Sequence, residues 1–242
     1  MRTIHRTLRL IVIFSIVAVI ALLVYGYSRR NPQDMPWTQL DLDSPIGLFT
    51  GRKLTGLTSD APRCRMLLEK AGARFTALPP RQEGQCGYGD GVRLLKGAVM
   101  PVDWRPAGLG VSCPVAAALL VWERDIVQPA ARRHLGTSVT AIDHFGSYSC
   151  RRLYGQSAGD WSEHSTADAV DIAGFRLANG TRVSVKTDWP RDDARAAFLR
   201  KVRDGACRLF ATVLSPDYNV AHADHFHLDQ AERGATGWRA CR

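Results

Sequence analysis

Hydrophobic positions along this chain fall into three regimes. The first is continuous. From Leu10 to Tyr27 no charge interrupts the run, and Ser15 is its one clearly polar residue. Eighteen residues at ~1.5 Å rise reach about 27 Å, near the thickness of a bilayer's hydrocarbon core. The second regime, residues 28–60, holds Pro32, Pro36, Pro45, Gly47, Gly51 and Gly56 with little periodicity, and reads as a linker or loosely packed lead-in. Periodicity begins at residue 61. "APRCRMLLEKAG" predicts a short helix with Met66, Leu67 and Leu68 inward and a stop at Gly72. "SCPVAAALLVWERDIV" predicts another, capped by Ser112, with Pro114 in its first turn and Pro129 beyond its end. Pro190 opens "PRDDARAAFLRKVRDGACRLFATVL", a helix with acids in its first turn and Ala194, Ala197, Phe198 and Val202 on one face.

Short runs at Ser138–Asp143, Ala169–Phe175, Arg182–Lys186 and His225–Asp229 predict strands. "LANG" after Phe175 is a turn joining the second and third of these as a hairpin. Helices and hairpins are interspersed, without repeated strand–helix–strand units, so the expected class is α+β: a small antiparallel sheet flanked by helices.

Charge and cysteine usage then place the chain. A formal charge of +9 favours anionic surroundings such as acidic headgroups or a wall polymer. The arginines are scattered rather than clustered, so no nucleic-acid partner is expected. The apolar run ends in "VYGYSRR" without a small-x-small cleavage site, which makes it an uncleaved anchor. Arg2, Arg6 and Arg9 precede it, Arg29 and Arg30 follow, and Tyr25 and Tyr27 suit the outer interface. The expected layout is a cytoplasmic tail at 1–9, an inner-membrane span at 10–27, the lead-in, and a periplasmic domain at 61–242. An oxidising compartment agrees with six cysteines, an even number with no CxxC pair. The expected bridges are sequential: Cys64–Cys86, Cys113–Cys150 and Cys207–Cys241.

The chemistry concentrates in two stretches. "WSEHSTADAVDIAGF" puts Asp171 on a strand that should be buried, where an unpaired carboxylate costs several kcal/mol. His164 precedes it by seven residues in a Ser/Thr-rich loop. "NVAHADHFHLD" holds His222, His225 and His227, three of the chain's seven histidines. On a strand, His225 and His227 share one face while Asp224 and Phe226 take the other. Each residue alone has a plain explanation: His164 on a surface, Asp171 capping a helix or pairing with an arginine, the histidines clustered by chance. Both stretches together suit a zinc site of two histidines and an aspartate, with a fourth position left for water.

"SEHSTADAVDI" resembles the S-x-H-x-x-G-x-A-x-D motif of D-alanyl-D-alanine metallopeptidases. "HADHFH" resembles the H-x-x-H-x-H of penicillin-insensitive murein endopeptidases, which share a fold with Hedgehog signalling domains. A closer resemblance, carried also by "GSYSCR" and "LSPDYNVAHADHFHLD", is to the bacterial extensin-like C-terminal domain over roughly residues 60–242. This resemblance implies a Hedgehog/DD-peptidase-like fold with zinc ligands His164, Asp171 and His227. His225 would lie beside the metal, and Arg151, or its neighbour Arg152, would hold the substrate or its oxyanion. Relatives place the general base at the positions of Asp224 or His222. Strand geometry turns Asp224 away, so His222 is the expected base. Ala167 stands where the motif has glycine, a mild change unless the backbone there needs positive φ.

The implied activity is hydrolysis of peptidoglycan stem-peptide or cross-link amides by a membrane-anchored zinc peptidase. A non-catalytic zinc module binding wall or protein is the rival from another class, and a disulfide scaffold with incidental histidines is the third. Metal content separates the last from the others; amide hydrolysis separates the first two.

Overall fold

A computed structural model describes residues 2–234 and 238–242. The N-terminal helix α1 (Arg2–Arg30) is exposed along its apolar stretch, whose mean hydropathy reaches 2.8. By length and composition it qualifies as a membrane span or as a signal sequence.

The lead-in departs from expectation. After a 3₁₀ turn at Pro32–Asp34 comes a short helix, α2 (Thr50–Thr55), and the stretch buries Leu40, Leu42, Leu54 and Leu57 in the core. Leu54 packs from one short helix and the other three from irregular backbone, so no sustained 3.6- or 2-residue period announces them. Helix α3 (Ala61–Lys70) is capped by Asp60, whose carboxylate accepts the Arg63 N–H. Cys64, Leu67 and Leu68 face inward; Met66, expected there too, is 56% exposed because it falls off that i, i+3, i+4 stripe.

Two small sheets follow. One pairs β1 (Arg74–Ala77) with β4 (Val92–Leu95) and β6 (Gly110–Val111); the other is a hairpin of β2 (Arg81–Glu83) and β3 (Cys86–Tyr88). Between β4 and β6 lies β5 (Asp103–Arg105), which joins the main sheet. Helix α4 (Cys113–Trp122) is apolar all round and wholly buried, as a central core helix must be. Ser112 caps it as expected. It does not stop before Pro129. A π-helical turn at Glu123–Val127 carries it into α5 (Gln128–Leu135), where Pro129 sits in the first turn and loses no bond, and Gly136 at φ 65° ends it.

The main sheet adds β7 (Val139–Gly146), β8 (Ala169–Leu177), β9 (Arg182–Ser184), β10 (Thr212–Leu214), β11 (Phe226–Asp229) and β12 (Ala240–Cys241). Its order is β12-β10-β11-β8-β7-β5, with β9 also on β8. The architecture is mixed α+β, but the sheet is larger than expected and not wholly antiparallel. β5 runs parallel to β7 because α4 and α5 cross over between them, and β12 returns parallel to β10. The β8–β9 hairpin forms at the predicted turn. Its second strand ends early, since Asp188 accepts the Ser184 N–H and starts the single turn α6 (Val185–Asp188). Helix α7 (Ala194–Ala206) begins four residues after the predicted proline, because Asp193 accepts the Arg195 and Ala196 N–H groups. The predicted helical tail at 212–214 is strand β10 instead.

Two of the three expected disulfides are re-paired. α3 packs against the start of α4, which joins Cys64 to Cys113 with Cα atoms 6.0 Å apart. Cys86 on β3 reaches Cys150, at 5.6 Å. Only Cys207–Cys241 pairs as sequence order suggested.

Candidate metal centre

Three segments converge at the floor of a cleft of about 1050 Å³. The first is a 3₁₀ helix at Glu163–Thr166, started by Ser162, whose hydroxyl accepts the His164 N–H. The second and third are β8 and β11, paired so that Asp171 lies directly opposite His227. Phe226 and Leu228 point into the core from the other face of β11, which leaves His227 and Asp229 facing the cleft.

The donor atoms meet closely. His164 Nε2 lies 3.2 Å from His227 Nδ1 and 3.2 Å from Asp171 Oδ2; His227 Nδ1 lies 3.0 Å from Asp171 Oδ1. Their outer partners decide where the protons sit. His164 Nδ1 is 2.6 Å from the Ser147 carbonyl, which only accepts, so that nitrogen carries hydrogen. His227 Nε2 likewise donates to Asp229, at 3.1 Å. Neutral rings therefore aim two lone pairs and a carboxylate at one point. That arrangement is repulsive until a cation occupies it: a second ring proton on His227, or a metal ion.

The pKa pattern says the same. Burial works against ionisation of Asp171, yet hydrogen bonds and positive charge from His164 and His227 hold its carboxyl well below the usual range. Burial lowers His227 too, but hydrogen bonds to Asp171 and Asp229 outweigh it and raise the ring to about 9. His164, Asp171 and His227 offer ligand atoms within 4.8 Å of one another. Tetrahedral bonds of ~2.0–2.1 Å put ligands roughly 3.3 Å apart, close to the separations here. The residues fit a borderline metal, and outer partners that fix the ring tautomers are what such ligands need.

The other expected residues line up around this floor. His222 faces the cleft from a 3₁₀ turn at Val220–His222. Its Nδ1 donates to Asn219 Oδ1 at 2.7 Å, which leaves Nε2 unprotonated toward the cleft. Burial, then the neighbouring His225 and His227 rings, lowers it to about 4. His225 sits just before β11 with Nε2 3.6 Å from Asp171. Asp224 points away and accepts from His225 Nδ1 at 2.9 Å, so it orients that ring rather than entering the cleft. Arg151 lines the cleft, whereas Arg152 stacks on Trp161 at 4.4 Å and donates to the Gly159 carbonyl.

Ala167 adopts φ 60°, the left-handed conformation that glycine favours, so the departure from the motif carries strain. Sequence reading missed Asp229, Asn219 and the Ser147 carbonyl. Asp229 had a signal, since it is two residues beyond His227 on the same strand face. Asn219 had a weaker one as a helix cap. Nothing in sequence points to a carbonyl.

A family model described as extensin-like protein C-terminus matches residues 62–242. The chain belongs to that family. Comparison with curated proteins and with solved structures returns no match. The extensin-like span takes in all six cysteines and every cleft residue above, while α1 lies outside it.

Proposed function

We propose that this extensin-like protein is a zinc-dependent peptidase that hydrolyses amide bonds of peptidoglycan stem peptides or cross-links, held by α1 in an inner membrane with its domain in the periplasm. The observation that carries the reading is the convergence of two imidazole nitrogens and a carboxylate, with the far nitrogen of each ring held by an outer partner. Three protein ligands with an open side are the pattern of catalytic rather than structural zinc. The order of the motifs supports a fold shared with D-alanyl-D-alanine metallopeptidases and Hedgehog domains. Three disulfides and an apolar N-terminal helix support export and anchorage.

His164, Asp171 and His227 would hold the ion. Zinc bound there would supply Lewis-acid polarisation of an amide carbonyl and an acidified water. The chain's own groups do the rest. His222, neutral at pH 7, takes a proton at Nε2, and Asn219 keeps that nitrogen free by holding Nδ1. His225, its Nδ1–H held by Asp224, presents an unprotonated Nε2 beside Asp171 that can accept a hydrogen bond from a water and orient it. Arg151 supplies a cation on the wall for a substrate carboxylate or oxyanion.

The test is digestion of purified muropeptides by zinc-loaded full-length protein in detergent, followed by mass spectrometry. New amine and carboxylate ends that vanish with a chelator are the expected result. Full zinc with intact muropeptides would make the domain a binding module instead.

A further inference from the structure

The anchor helix and the domain are joined without slack. Helix α1 ends at Arg30, and the Asn31 N–H still bonds to the Tyr27 carbonyl at 2.8 Å. The 3₁₀ turn begins at the next residue, Pro32. One carboxylate then ties three levels together: Asp34 Oδ2 accepts from the Tyr27 hydroxyl at 2.5 Å, and Oδ1 accepts the Leu48 N–H at 2.8 Å. Lys53 from α2 clamps the same turn, donating to the Pro32 carbonyl, Gln33 Oε1 and Thr38 Oγ1. Gly47 lies so close to Gln33 that a Cβ would sit 2.4 Å from its carbonyl carbon. Such a joint cannot swing like a Gly/Ser linker.

If Tyr27 marks the end of the span, everything bonded to Asp34 lies at headgroup depth. That stretch presents two large apolar side chains to the outside, Trp37 at 72% exposure and Leu48 at 81%. Tryptophan and tyrosine favour this boundary layer, and Arg29 and Arg30 at the helix end suit anionic headgroups.

We infer that the face around Trp37 and Leu48 is a membrane seat: it rests in the headgroup layer of the bilayer that α1 spans. The occupant is lipid, because the face continues from the spanning helix and is rimmed by basic charge. The inference rests on the anchor reading above and adds a working height to it. α2 starts two residues after Leu48 and is about 9 Å long. Its Thr55 hydroxyl donates to Gln230 at 2.6 Å, and the neighbouring Asp229 holds His227. The metal centre is thus braced to the seat through one short helix, and its reach is set by the fold rather than by a tether.

The experiment uses the full chain, one per nanodisc, in phosphatidylcholine/phosphatidylglycerol with or without lipids brominated near the headgroup end. The difference between wild-type and Trp37→Phe fluorescence isolates Trp37, and bromolipid should quench most of that difference. Hydroxyl-radical footprinting needs no variant: Trp37 should oxidise several-fold more slowly than Trp238, although Trp238 is the less exposed of the two in the protein alone. An inserted α1 with Trp37 unquenched and oxidised as fast as Trp238 overturns the seat alone. Protection that appears only with two chains per disc assigns the face to a second copy and overturns it too. A mature chain whose mass lacks α1, or which does not stay with lipid, removes the anchor and the seat together.

Discussion

The two walls of the cleft are built differently. Asp171 and His227 stand on a sheet whose opposite face is core, His164 stands on the 3₁₀ helix that leads into β8, and Ser147 and Asp229 fix the two rings. His222, His225 and Asp224 stand on the short turn and loop that lead into β11, where Asn219 is both cap and partner. The first wall is over-determined by strand pairing. The second is set by local hydrogen bonds within a few residues. A rigid donor set beside an adjustable proton carrier is the division expected where one group must bind and another must respond.

Removing a member of the rigid wall should have the largest effect. His227→Ala deletes one of the three proposed ligands and leaves Asp171 and Asp229, two largely buried carboxylates, without the ring they share. Breaking a buried pair by removing one partner costs about 3–5 kcal/mol. Zinc content should fall from about one per chain to background, with hydrolysis lost and chemical denaturation shifted by an amount of that order. A variant that keeps zinc and stability would show that the donor set is misassigned.

The adjustable wall should separate binding from turnover. His222→Ala should leave zinc content unchanged while kcat falls by roughly 10²–10⁴-fold, the range for a positioned acid or base. Asp224→Asn keeps an acceptor for His225 and should cost far less. If the order is reversed, Asp224 is the base and the turn must rearrange to bring it inward.

The two walls were also unequally legible. Alternation alone turned His227 away from the core and put Asp171 among buried residues, because strand pairing obeys a two-residue period, whereas His225, expected on the same strand, lies in the loop before it. The turn that aims His222, and the Asn219 contact that sets its tautomer, depend on cap geometry no period encodes. The same limit explains the lead-in, whose leucines pack mostly from irregular backbone, and the disulfides, whose pairing follows how α3 meets α4 rather than chain order. Pro190 misplaced the start of α7 because a side-chain cap at Asp193 competed with it.

A smaller change probes the outer partner. Metal-free His227 titrates near 9, above its ordinary 6.5, so its ion pairs stabilise the apo fold fully below about pH 6.5 and are lost as pH rises through about 9. Zinc must displace that proton, so apparent affinity should rise about tenfold per pH unit up to about 9. Asp229→Asn keeps an acceptor for Nε2 but removes a charge that raises the ring. The bend in the affinity profile should move to lower pH, with affinity at high pH down by about 10–100-fold. An unmoved bend would mean Asp171 alone sets the His227 titration.

The smallest effect belongs to Ala167, which links the rigid wall to the rest. Its φ of 60° costs an L-residue roughly 1–2 kcal/mol, and its peptide is committed: the N–H donates to His164 and the carbonyl accepts from Ser112 and Ser147. Ala167→Gly relieves the strain. It also frees the unfolded chain by about 0.4–1 kcal/mol and deletes a buried methyl worth ~0.8 kcal/mol. These contributions nearly cancel, so denaturation should shift by less than about 1 kcal/mol and zinc content should not change. Ala167→Val meets the same backbone with a β-branched side chain that the left-handed region rejects. It should destabilise the domain clearly more than glycine does. If valine is tolerated as well as glycine, the 163–167 turn does not hold the left-handed conformation, and the fixed position of His164 loses its support.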